Sequence, residues 1–170
     1  MPEEPRLGPV ARRLAAHERV VVVDDDHEHA DFLRCYFRSA GYEFVHADPA
    51  SALGVLDAID EHRPDCVILG LDGRGVDGSD AHRLLCANER FSDLPVIVMG
   101  ARTDARQLVS SLRAIDAVVP RPFNVNDLAD LVAERIAHTT GMREVLVSEP
   151  VADVLVAAVV PAEASLSVAI

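Results

Sequence analysis

Asp24, Asp25 and Asp26 follow the apolar run Val20–Val23, and they are the first side chains in the sequence that could do chemistry. Asp24 and Asp25 could hold Mg²⁺, which keeps several of its waters and needs few carboxylates. A pairing with the distant Arg121 is the favoured alternative, so only a weak Mg²⁺ site is expected and no cofactor. Asp25 and Glu28 have the spacing of a helix capping box, where acids suit the positive end of a helix. His27, His29 and Asp31 are inviting as metal ligands, but two-residue steps on a helix point them apart, and solvent-facing roles are expected. Gly73, Gly75 and Gly78 form no phosphate-binding loop, since no Gly-Lys-Ser/Thr ending follows them. Cys35, Cys66 and Cys86 are widely spaced, form no CxxC, and read as small buried hydrophobes in a reducing compartment.

These side chains must be positioned by a core, and 170 residues with 49% hydrophobic content allow one ordinary domain with extensions. Aromatic residues make up only 4%, so Val, Leu, Ile and Ala build that core. All 16 basic residues are Arg. A net charge of −12 leads to the expectation of no direct nucleic-acid contact and no binding to anionic membrane. The polar N-terminus lacks the apolar segment of a signal peptide and no apolar run spans a bilayer, so a cytoplasmic location is expected.

Residues 1–18 read as a flexible leader. Arg19–Val23 then has the continuous β-branched character of a strand buried on both faces. Apolar residues at Ala30, Leu33, Phe37 and Ala40 mark a helix, stopped by Gly41. The alternation continues through strands at 42–47, 66–69, 95–99 and 117–119. Helices are expected over 49–62, 79–90 and 104–113, and a last one, capped by Asn124 or Asn126, carries Leu128, Leu131, Val132 and Ile136 on one face. Five strands alternating with five helices require an α/β fold, a doubly wound parallel sheet with helices on both faces. The polar clusters follow strands one, three, four and five, which puts them in one crevice at the carboxyl ends.

In order and spacing, VVVVDDDHEHADFLRCYFRSAGY, PDCVILGLDGRGVDG, LPVIVMGA and AVVPRPF resemble the signature segments of response-regulator receiver domains, over about Arg19 to His138. The resemblance implies a flavodoxin-like fold and a crevice built for phosphoryl transfer. In that crevice an Asp ending strand three accepts the phosphoryl group and two acids after strand one hold Mg²⁺. A hydroxyl ending strand four and a Lys before Pro on strand five bind the phosphoryl oxygens. Here the acids are Asp24 and Asp25, but Gly70 stands at the acceptor position, Gly100 at the hydroxyl and Val118 at the usual aromatic. Arg121 replaces the Lys, keeping charge without ammonium geometry. Arg121-Pro122 also resembles the family's Lys-Pro step, where a cis bond is common.

Acceptor, sensor and rotor are thus absent together, which implies a stand-alone pseudo-receiver that signals through protein contacts and is not an enzyme. Its expected partners are signalling proteins, a histidine kinase or a downstream regulator. One alternative is a conventional phosphorelay receiver using Asp72, although Asp72 lies about 6.6 Å further along an extended chain than the acceptor position. A second is a metal-dependent enzyme built on Asp24 and Asp25. Arg102, Arg106 and Arg113 mark the surface such domains use for homodimerisation or docking, an ordinary solvated face being the alternative. Residues 139–170 form an apolar C-terminal extension outside the resemblance, read as an extra strand, a self-association segment or a flexible tail.

Overall fold

The computed structural model describes residues 18–48, 50–71, 77–101 and 108–145 and the pair 158–159, with backbone alone for 141–145 and 158–159. Its elements are β1 (Arg19–Val23), α1 (His27–Ser39), β2 (Glu43–Ala47), α2 (Ala52–His62), β3 (Cys66–Gly70), α3 (Gly78–Ala87), β4 (Val96–Gly100), β5 (Ala117–Pro120), α4 (Val125–Val145) and β6 (Ala158–Val159). All the strand pairs are parallel, in the order β2-β1-β3-β4-β5-β6. The expected five-stranded, doubly wound sheet is therefore present, with the two residues of β6 beside β5.

The apolar runs form central strands because successive side chains point to opposite faces, and helices cover both. Val20, Val22, Ile68, Ile97 and Met99 pack with Leu33 and Phe37 of α1 and Leu128 and Val132 of α4. Val21, Val23, Val67, Leu69, Val96 and Val98 pack on the other face with Val55 and Ile59 of α2 and Leu85 of α3. Gly41 ends α1 as expected: its φ is 95°, and Tyr42 N–H reaches back to the Phe37 carbonyl at 3.0 Å.

Asn124 is the cap of α4, its side-chain oxygen accepting from Asn126 N–H at 2.8 Å. That helix runs to Val145, past the expected boundary at 138. The expected helix over 104–113 falls partly on residues outside the described set. Its described remainder is Leu108, which is α-helical, and a 3-10 turn, Val109–Ser111, after which Arg113 N–H turns to the Asp116 carboxylate at 3.2 Å.

Gly78, the first residue of α3, is demanded by a close approach. A Cβ there would come within 2.5 Å of the Gly70 carbonyl oxygen. Any larger residue would push α3 away from the end of β3, where the crevice begins.

Candidate functional site

The crevice is built around Asp24, the buried residue that follows β1. Its side chain is only 4% exposed, and its Oδ1 accepts from Asp26 N–H at 3.0 Å. Oδ2 lies 2.7 Å from His29 Nδ1 and accepts from Arg121 Nη2 at 3.2 Å. An ionised carboxylate only accepts, so Nδ1 carries the hydrogen of the His29 contact. Burial pushes the Asp24 carboxyl up, but the hydrogen bonds from His29 and Asp26 and the charge of Arg121 outweigh it and hold it below the usual carboxylate range. The Asp24 carbonyl lies 2.7 Å from His46 Nε2, which fixes the strand end from the β2 side.

Local chemistry explains how His29 arrives there. Asp26, rather than the expected Asp25, caps α1 and accepts from His29 N–H at 3.0 Å. Placing His29 in the first turn aims its ring back at Asp24, against the edge of Phe123 at 5.8 Å between centroids. The expected solvent-facing role holds for His27, an exposed residue 3.3 Å from Asp48, and fails for His29.

Gly70 ends β3 beside this carboxylate. A Cβ at Gly70 would lie 3.5 Å from Asp24 Cγ and 3.3 Å from the Val23 carbonyl, so a side chain at 70 would project next to Asp24. Gly100 differs. A Cβ there would come within 2.9 Å of both Cβ and Cδ1 of Leu71. Leu71 is held in place by its N–H, which donates to the Met99 carbonyl at 2.7 Å. Val118 is buried on the α2/α3 face of the sheet. The Arg121-Pro122 bond is cis, and Arg121 N–H donates to the Gly100 carbonyl at 2.8 Å.

A cleft of about 610 Å³ opens beside Arg121 and His29, lined also by Phe32, Pro122, Phe123 and Val125. Phe32 is 55% exposed at its mouth.

Of the other expected site residues, Asp72, Arg102 and Arg106 lie outside the described residues. Arg113, expected on a docking surface, turns inward instead. Its guanidinium grips Asp116 with bonds of 2.9 and 2.8 Å and donates to the Phe91 and Leu94 carbonyls. A buried carboxylate three residues away outcompetes solvent for that side chain.

The family model of the response regulator receiver domain matches residues 20–133. The chain belongs to the response-regulator receiver family. Over 121 residues it is 35% identical to the DNA-binding response regulator MtrA of Mycolicibacterium smegmatis, a match covering 70% of this chain and 50% of MtrA. It is also 32% identical to the transcriptional regulatory protein KdpE of Mycobacterium tuberculosis, covering 74% of this chain and 54% of KdpE. This receiver thus spans about half the length of the curated relatives it matches. Among solved structures, one described as a response regulator from Chloroflexus aurantiacus aligns with a TM-score of 0.61 at 27% identity, over 71% of this chain and 98% of that one. Another, at 20% identity, TM-score 0.61 and coverage of 72% and 99%, is the receiver domain of a Pseudomonas aeruginosa sensor histidine kinase with magnesium in its active-site cleft.

These relatives overturn one expectation. MtrA is named a DNA-binding protein, so acidity does not place this receiver outside nucleic-acid biology. Net charge averages over a whole chain, whereas binding depends on local charge. Among the described residues no helix is long and apolar enough to cross a membrane. The receiver family is a signalling family.

The family's Mg²⁺ chemistry fits this crevice poorly. Asp24 is already engaged by His29 and Arg121, and position 70 supplies no carboxylate.

Proposed function

We propose that this receiver is a cytoplasmic pseudo-receiver: it signals by docking other proteins and accepts no phosphoryl group at the end of β3. The observation that carries this reading is the occupation of the sensor space. Leu71 fills the volume that a hydroxyl-bearing side chain at 100 would need. The surroundings agree with it, since the carboxylate that would help hold Mg²⁺ is engaged from two sides, by the Arg121 guanidinium and by a hydrogen bond from His29.

Partner contact is the remaining use for such a crevice. The cleft by Phe32, Pro122 and Phe123 has an apolar floor with Asp26, His29 and Arg121 as its polar lining, a combination suited to a protein segment that sets an apolar residue beside a polar group. The relatives' names support an output in transcription, and we infer that the partner is a signalling protein, a histidine kinase or a downstream regulator.

The reading is tested by amide spectra of the full chain with Mg²⁺ and beryllofluoride, a phosphoryl mimic that must bond to a carboxylate. Unchanged crevice resonances are expected. Saturable shifts around Gly70 and Gly100 would overturn the proposal, and loss of those shifts in Asp72→Ala would transfer the acceptor role to Asp72.

A further inference from the structure

Away from the crevice, α3 and the start of β5 bring together three side chains that the receiver chemistry does not use. His82 and Cys86 stand four residues apart on one face of α3, and Asp116 precedes β5. His82 Nε2 is 3.1 Å from Asp116 Oδ2 and 3.5 Å from Cys86 Sγ, and the three ligand atoms lie within 4.8 Å of one another. His82 and Asp116 are buried, while Cys86 is half-buried and opens the cluster to solvent.

We propose that His82, Cys86 and Asp116 form a binding site for a zinc-class transition-metal ion. Tetrahedral zinc, with bonds of about 2.0 Å to nitrogen and oxygen and about 2.3 Å to sulfur, spaces its ligands roughly 3.3 to 3.6 Å apart. The two short separations here are close to those edges, so small side-chain rotations admit the ion. Thiolate and imidazole together select zinc, copper or cobalt over Mg²⁺ or Ca²⁺. Three protein ligands leave a fourth position for water on the Cys86 side.

The surroundings are those of a supported ligand set. The Asp116 carboxylate is oriented by Arg113 through three hydrogen bonds, from its backbone N–H, Nε and Nη2, and by Val96 N–H at 3.0 Å. Outer hydrogen bonds of this kind fix a ligating carboxylate before the ion arrives. On binding, Cys86 releases its thiol proton to solvent and the His82 hydrogen resides on Nδ1. The direct His82–Asp116 contact is replaced by two bonds to the ion. Because a thiolate forms as the ion enters, the added positive charge beside Arg113 is partly cancelled.

A Cys-His-Asp relay for nucleophilic catalysis is the rival arrangement, and the geometry disfavours it. Such a relay needs the imidazole to face nucleophile and acid through opposite nitrogens. Here Nε2 is the nearer atom to both, with Nδ1 at 3.8 Å from the sulfur.

Cobalt(II) titration of the full chain tests the site, since a cobalt–thiolate bond gives a near-ultraviolet charge-transfer band. The band should saturate at one equivalent, yield to zinc, persist in Cys35→Ala and vanish in Cys86→Ala. Cys86→Ala should also weaken zinc binding by more than about tenfold, since loss of even an outer-shell partner typically costs about that much. Cys86 is not fully buried, and circular dichroism checks that its replacement folds. No thiolate band in the wild-type chain, or a band that survives in Cys86→Ala, would overturn the proposal.

Discussion

Leu71 occupies the space that any side chain at position 100 would need, with its Cβ and Cδ1 each 2.9 Å from where a Cβ on Gly100 would stand. The two residues are complementary: the glycine is tolerated because the leucine fills its void, and the leucine fits because position 100 has no side chain. Gly100→Ala should therefore overpack the site and cost about 1–3 kcal/mol. The urea midpoint reads the loss, and Leu71→Ala in the same chain should recover part of it. Strict additivity of the two changes would mean the contact is not what constrains position 100.

Asp24 and Asp116 set the acid limb of stability. Burial pushes both carboxyls up, but hydrogen bonds and charge (His29, Asp26 N–H and Arg121 for Asp24; His82 and Arg113 for Asp116) hold both below the usual range. The folded state thus favours the ionised forms, and this contribution is fully present above the ordinary carboxylate pKa. It is lost as pH falls through the folded values. Asp24→Asn should lower stability at neutral pH and flatten the acid limb of a plot of urea midpoint against pH.

Glu18 carries the opposite sign. Burial, with a smaller push from Asp65, raises its carboxyl to about 7. Between the ordinary value and about 7 the folded chain keeps a proton that the unfolded chain has released. This contribution is fully present below the ordinary carboxylate range and is lost as pH rises through about 7. Glu18→Gln should remove that part of the pH dependence, seen by comparing unfolding midpoints at about pH 5 and about pH 8.

Restoring an acid at position 70 should restore cation binding more readily than signalling. A Cβ at Gly70 meets Asp24 Cγ at an ordinary 3.5 Å and the Val23 carbonyl at a tight 3.3 Å, so a side chain fits once the backbone gives by a few tenths of an ångström. Gly70→Asp should lower stability without Mg²⁺ through like-charge crowding, and bind Mg²⁺ at least about tenfold more tightly than the wild type in calorimetry. Equal, weak binding by both chains would show that Arg121 and His29 still hold Asp24.

The sheet was legible because its signal is local and redundant. Val20–Val23, Cys66–Leu69 and Val96–Met99 are apolar on both faces, which only a buried parallel strand requires. Gly41 likewise marked a helix end by a conformation few other residues adopt. The departures at Gly70 and Gly100 could be read from register alone. What filled the vacated space could not, because Leu71 reaches position 100 across neighbouring strands.

For His29 the two-residue spacing shows only that it faces away from His27, not which way it faces. In the first turn after the Asp26 cap its ring reaches Asp24. His82 and Asp116 are 34 residues apart, and a histidine between Ala81 and Leu85 on an apolar face gives no local sign of its partner. Arg113 reads as a surface residue because nothing in its neighbourhood reveals that Asp116 is buried.

The central claim is that the end of β3 accepts no phosphoryl group. Intact mass of the full chain after incubation with acetyl phosphate and Mg²⁺ tests it most directly. An unchanged mass is expected, with Gly70 offering no carboxylate and Leu71 filling the sensor space. A stoichiometric, hydroxylamine-labile gain of one phosphoryl group that persists in Asp72→Ala would contradict it.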